Sequence, residues 1–206
     1  MSEPGANANS IQQLAPTVWR WHVLDDRIDY ESDAYAVRGE DGVIMIDPLP
    51  LRPKLLRDLG RVEAICLTAA CHQRSAWRYR REFGAVVYAP KGCRDMEEEA
   101  DQSYAAGDLL PGRLRAIHTP GPEAAHYAFL QEQEPKVLFS ADLMMRDGDG
   151  ALEFVPPGLH DDPEATRASV RGFLGLDFSI LCLSHGPPVT SDAHGALRAL
   201  FEETGC

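Results

Sequence analysis

No C-x-x-C pair occurs in this chain, and its five cysteines (Cys66, Cys71, Cys93, Cys182, Cys206) are odd in number and scattered. That pattern argues against a disulfide framework and for reduced thiols in a cytoplasmic protein. Basic residues are also scarce. Lys and Arg number 20 against 32 Asp and Glu, a net charge of -12, with an acidic run at Glu97-Glu98-Glu99. Such a surface repels phosphate backbones and anionic lipid heads, so neither nucleic acid nor a membrane is an expected partner. No apolar run approaches the ~18 residues that span a bilayer. The opening MSEPGANANS has neither the basic start nor the apolar centre of a signal peptide, and residues 1–12 are expected to be a flexible tail. P-loop, G-x-G-x-x-G, G-x-S-x-G and H-E-x-x-H motifs are all missing, which removes the common nucleotide, serine-hydrolase and zinc-protease signatures.

What is present is the patterning of an ordinary globular domain. At 206 residues the chain suits one domain, taken as residues 13–206, and folding at this size buries roughly 70% of the unfolded surface. Short β-branched and apolar runs bounded by Gly, Pro or Asp predict strands over residues 17–24, 34–38, 43–46, 62–68, 85–88, 113–118, 127–130, 137–140 and 178–183. Helical spacing predicts helices over 53–59, 75–83, 162–174 and 192–203, with Pro53 and Pro163 in first turns and Asp162 as an N-cap. Strands and helices interleave, so two central sheets flanked by helices are the expected layering of an α/β (α+β) fold.

The most informative stretch is Leu67-Thr68-Ala69-Ala70-Cys71-His72-Gln73-Arg74. It resembles the L-T-H-x-H-x-D-H motif of the metallo-β-lactamase superfamily, with Ala69, Cys71, Gln73 and Arg74 at the four ligand positions. Further landmarks follow that family's order: GVIMIDP at 42–48, HTPGP at 118–122, LFSADL at 138–143 and LSHGPP at 183–188. The resemblance implies a four-layer αββα sandwich. It also implies a two-metal centre, whose function is to lower the pKa of bound water from about 15.7 toward ~7. Of the seven ligand positions carried over, only Asp142 (the bridging position) and His185 (the distal one) keep a family ligand, while Pro122 offers no donor atom. Pro120-Gly121 still reads as a type II turn.

Cys71 is the one substitution that can still bind metal; its plainer reading is a small buried hydrophobe. Arg74 falls where the second metal would sit. It is expected to replace that metal by pairing with Asp142, with His185 alongside; the alternative has it facing solvent at the start of a basic helix. His72 is read as lining the pocket rim or as an exposed loop residue. His118 and His126 are expected to support the turn, and Asp47 to order the metal-binding loop. Cys71 and His72 would pair for thiol chemistry only if the loop bends, since strand neighbours face opposite ways. His22, His160 and His194 have no motif context.

Two functions follow. In the first, the fold has lost the dinuclear centre and ordinary metal-hydroxide hydrolysis, needs no cofactor, and keeps a pocket for a small, anionic molecule at Arg74, Asp142, His185, His72 and His118. In the second, the chain is a hydrolase of the glyoxalase II or lactonase type using one zinc, iron or manganese ion. Cys71, Asp142 and His185 would hold that ion, with His72 or His126 as candidates for a misplaced ligand. Substrate and oligomeric state stay open.

Overall fold

Along the strand Tyr30–Arg38 successive side chains face opposite ways, so Ala34 and Ala36 join one core while Tyr35 and Val37 join another. The strand Val43–Ile46 divides likewise, Val43 and Met45 from Ile44 and Ile46, and all four residues are buried. Burial on both faces is the mark of a central strand covered on each side. The computed structural model describes residues 3–203.

A seven-stranded sheet runs in sequence order through β1 (Gln12–Ala15), β2 (Val18–Asp25), β3 (Tyr30–Arg38), β4 (Val43–Ile46), β5 (Val62–Cys66), β6 (Val86–Pro90) and β7 (Gln102–Tyr104). Strands β1 to β4 are antiparallel, and β4 to β7 are parallel. The second sheet contains β8 (Leu109–Leu110), β9 (Leu114–His118), β10 (Tyr127–Gln131), β11 (Val137–Phe139) and β14 (Ile180–Cys182), in the order β14-β11-β10-β9-β8. A small ribbon pairs β12 (Met144–Met145) with β13 (Glu153–Phe154).

Helices α1 (Pro53–Leu59) and α2 (Ala76–Phe83) cover the outer face of the first sheet through Leu56, Trp77 and Tyr79. Helices α3 (Pro163–Phe173) and α4 (Ala193–Glu203) cover the second through Val170, Phe173, Leu197 and Leu200. Between the sheets lie Ile44, Ile46, Phe129, Phe139 and Cys182, which completes four layers, αββα. The expected helices are present, and Asp162 caps α3 by accepting from the Ala165 amide at 3.0 Å. Strands β1, β7, β8, β12 and β13 were not expected; they have two to four residues each, too few to show a period.

The opening residues differ from the expected tail. Ala8 is buried and donates its amide to Pro50 O at 2.8 Å, Gly5 donates to Asp26, and Glu3 meets Ser75 and Arg78. Ala8 also forms a parallel bridge with Leu51. Residues 1 and 2 lie outside the described residues, as does Cys206.

Tyr35 ties the inter-sheet core to the end of β14. Its hydroxyl donates to Leu183 O at 2.6 Å and accepts from Leu183 N at 3.1 Å, and its ring packs edge-on against Phe139. Removing that hydroxyl strands a buried N–H and a buried carbonyl, a loss of about 1–3 kcal/mol. Tyr35→Phe is therefore expected to lower the unfolding free energy by about that amount in urea titration. An unchanged midpoint would refute the tie.

Candidate functional site

Several loops leave the carboxyl ends of parallel strands at one edge of the sandwich, where open α/β sheets place their ligands. Asp47 follows β4, and the segment Leu67 to Arg74 follows β5. Asp142 lies in a one-turn 3-10 helix, Ala141–Leu143, after β11, and His185 follows β14. Cys71 and His72 share another such turn, Ala70–His72, whose first amide is held by Glu123 Oε1 at 2.9 Å. Three residues flanking the site, Asp47, Arg74 and Ala141, have positive φ (47°, 37° and 53°) although none is glycine. Such backbone costs about 1–3 kcal/mol apiece and persists only where its surroundings enforce it.

Asp142 is the hub. Its Oδ2 lies 2.8 Å from His72 Nε2, and its Oδ1 lies 3.3 Å from His185 Nε2 without a directed hydrogen bond. Its amide donates to His126 Nε2 at 3.3 Å, and its carbonyl accepts from His160 Nε2 at 3.1 Å. Four of the chain's seven histidines thus converge on one residue.

Each ring is oriented from behind. His72 Nδ1 faces Asp47 Oδ2 at 3.0 Å and Thr68 Oγ1 at 2.8 Å, while Asp47 also accepts from the Thr68 amide and hydroxyl. His185 Nδ1 donates to Glu31 O at 2.8 Å, and the neighbouring Gly186 amide donates to Asp33 Oδ2. His126 Nδ1 donates to Thr119 O at 2.9 Å, which leaves Nε2 bare to accept.

The electrostatics follow from these contacts. Burial alone would lower the His72 pKa, but the charge of Asp142, with Cys71 and Asp47 behind it, raises it well above the ordinary histidine value. Burial likewise opposes ionisation of Asp142, yet the charge of His72 and the nearness of His185 hold its carboxyl well below the usual range. His126 goes the other way: burial brings it down to about 4, against the pull of Asp142.

Arg74 does not pair with Asp142, nor does it face solvent. It is buried, and its Nη1 donates to Asp33 O at 2.8 Å, within β3, and to Asp47 O at 3.3 Å, just after β4. These carbonyls draw the guanidinium under the floor, and His72 meets the carboxylate instead. Gln73 also turns away: Oε1 accepts from Trp77 Nε1 and the Glu97 amide, and Nε2 donates to Asp95 O. His118 is exposed, donates to Ala124 O and packs on Tyr127, so it braces the turn outside the cavity. Cys71 is exposed, not a buried hydrophobe, with Sγ 3.9 Å from Asp142 Oδ2. His72 is buried, not at the rim. His160 and Glu123, both lining the cavity, carry no motif signal beyond Glu123 following Pro122. Gly121, at φ 145°, lets the turn approach Thr166 of α3 where a Cβ would clash at 2.1 Å.

The family model described as "Metallo-beta-lactamase superfamily" matches residues 10–203. The chain belongs to that superfamily. Its fold is similar to that of the DIM-1 metallo-beta-lactamase, at 13% identity and TM-score 0.76, covering 97% of this chain and 99% of that one. It is also similar to TTHA1623, solved in a di-iron-bound form, at 24% identity and TM-score 0.63, covering 82% of this chain and 93% of that one. A third similar structure is the superfamily protein ST1585 from Sulfolobus tokodaii, at 17% identity and TM-score 0.64, covering 85% and 80%. No curated protein matches the sequence significantly. At these identities the likeness concerns the fold.

Superfamily membership raises the question of metal, and the donor chemistry suits one ion. A thiol, an imidazole and a carboxylate, from Cys71, His72 and Asp142, present ligand atoms within 4.8 Å of one another. The His72 ring is backed by a carboxylate, as metal-bound histidines are. Two ligands on one tetrahedral zinc stand roughly 3.4 Å apart. The His185–Asp142 contact of 3.3 Å fits that spacing, whereas 2.8 Å between His72 and Asp142 is the length of a charge-assisted hydrogen bond.

His126 generates a pH prediction. Its folded pKa lies below its unfolded value of about 6.5, so its contribution to stability is complete above pH ~6.5 and is lost as pH falls toward about 4, roughly 3 kcal/mol in all. Urea midpoints from pH 7 to pH 4.5 should fall less steeply in His126→Gln than in the parent chain. Equal slopes would contradict the assignment.

Proposed function

We propose that this protein binds a small molecule in the cavity above Asp142, balances that carboxylate with its own side chains in place of a resident metal ion, and does not carry out two-metal hydroxide hydrolysis. The observation that carries this reading is the direction of two side chains. Gln73 and Arg74, at the positions where the resemblance puts ligands of a second metal, are engaged by Trp77, Glu97 and Asp95, and by the carbonyls of Asp33 and Asp47. The Asp142 charge is balanced by His72, whose Nδ1–H is directed to Asp47 and whose Nε2–H reaches Asp142 Oδ2. An internal imidazolium supplies positive charge at the place where a divalent ion would otherwise be needed.

A second reading is favoured by the donor cluster itself. One zinc, iron or manganese ion held by Cys71, His72 and Asp142, with His185 beside them, would make the chain a single-metal hydrolase; three protein ligands are enough for a catalytic site. When bound, such an ion supplies Lewis-acid activation of water and of a carbonyl. The chain's own part is positioning. Asp47 and Thr68 fix the His72 ring, Glu123 holds the turn that presents Cys71, and Glu31 fixes His185.

Elemental analysis of protein purified without chelator separates the two. The first reading expects well under one equivalent of transition metal. The second expects close to one, lost in Asp142→Ala and in Cys71→Ala, with circular dichroism confirming that both variants fold. Two equivalents in native protein would overturn both readings.

A further inference from the structure

The cavity above Asp142, of about 690 Å3, has two unlike sides. Its wall is apolar, built by Ile28, Tyr30, Met145, Val155, Pro156 and Leu159. Its floor is polar, with Cys71, Glu123, Asp142, His160 and His185. Among the described residues lining it there is no Lys or Arg, and Arg74 lies beneath the floor, on the carbonyls of Asp33 and Asp47.

The histidines do not make up for this. His160 has its Nε2–H on Asp142 O and its Nδ1 on the Thr166 hydroxyl, so both ring nitrogens are engaged. His185 has its Nδ1–H on Glu31 O and its Nε2 against Asp142, and His72 is buried behind the floor. An incoming anion would meet two carboxylates and no uncommitted cation, in a chain of net charge -12. An incoming cation would find Asp142 already matched by His72 and Glu123 engaged by the Ala70 amide, and would lose its hydration against an apolar wall. The rim also points to an apolar body. Leu159 and Ile28, from separate loops, stand 71% and 53% exposed where the cavity opens.

We infer that the ligand is an uncharged amphiphile: a medium-length apolar chain lying along the Ile28, Met145 and Leu159 wall, with a neutral hydrogen-bonding head over Asp142 and Cys71. This rests on the pocket reading above and reverses the anionic ligand that Arg74 suggested. A cavity of this size lies in the range that encloses small organic ligands.

Octanamide, octanoate and octylammonium share one chain and differ in head charge, so calorimetric titration of the full-length protein at pH 7 with each tests the inference. Octanamide should bind at least tenfold more tightly than octanoate and more tightly than octylammonium. Leu159→Ser, a change at an exposed side chain, should weaken octanamide at least threefold, and Leu109→Ser, outside this cavity, should not. Octanoate or octylammonium binding as well as octanamide would overturn the ligand class while leaving the pocket reading intact. Binding by none of the three would overturn both, and equal loss in the two serine variants would place the ligand elsewhere.

Discussion

An ionised carboxylate in a largely apolar setting must be met by positive charge or by donors, because an unmatched buried charge costs several kcal/mol. Histidines surround Asp142: His72 bonds the carboxylate and His185 stands beside it, His126 is at the amide and His160 at the carbonyl. The rest of the site exists to hold those rings. The arrangement also lets neighbouring imidazoles differ, the His72 pKa raised and the His126 pKa lowered, because one faces two carboxylates and burial dominates at the other. Environment sets the proton inventory here, not residue type.

The scaffold reaches this site mainly through β3. That strand supplies Tyr35, whose hydroxyl bonds both backbone groups of Leu183, and Asp33, whose carboxylate holds the Gly186 amide and pairs with the buried Arg20. It also supplies the carbonyls of Glu31 and Asp33, which fix His185 and Arg74. One strand therefore links the inter-sheet core, the second sheet's final loop and the floor of the cavity. Sheets built this way transmit positional precision, since a core packed at crystal-like density gives little room for a loop to drift. The positive φ angles at Asp47, Arg74 and Ala141 fit the same picture: the surroundings enforce backbone that these residues would not choose.

The layers were legible from the sequence because burial leaves a period. The run at 43–46 and the helical spacing at 53–59 and 162–174 correspond to elements with nearly the same bounds. Two-residue strands leave no such trace, and neither does an N-terminal segment held by a few scattered contacts. In the site, Asp142 and His185 were readable because motif order places them, and they do share the cavity. His160 was not, because its contact with Asp142 arises from the packing of the loop before α3, a tertiary fact without local signature.

The harder lesson concerns Cys71, His72 and Arg74. Strand geometry sends neighbouring side chains to opposite faces, and on that rule Cys71 and His72 could not act together. A single 3-10 turn over Ala70–His72 brings both to within 4.8 Å of Asp142's ligand atom. The same turn changes which residue reaches the carboxylate, putting a histidine against Asp142 and carrying Arg74 beneath the floor. Aligning ligand positions by count assumes the loop keeps its shape when its ligands change. Here a cation was still required, and the residue one position after Cys71 provides it in place of the one three positions after. Charge complementarity was therefore predictable from the sequence, whereas the identity of the partner was set by the local backbone.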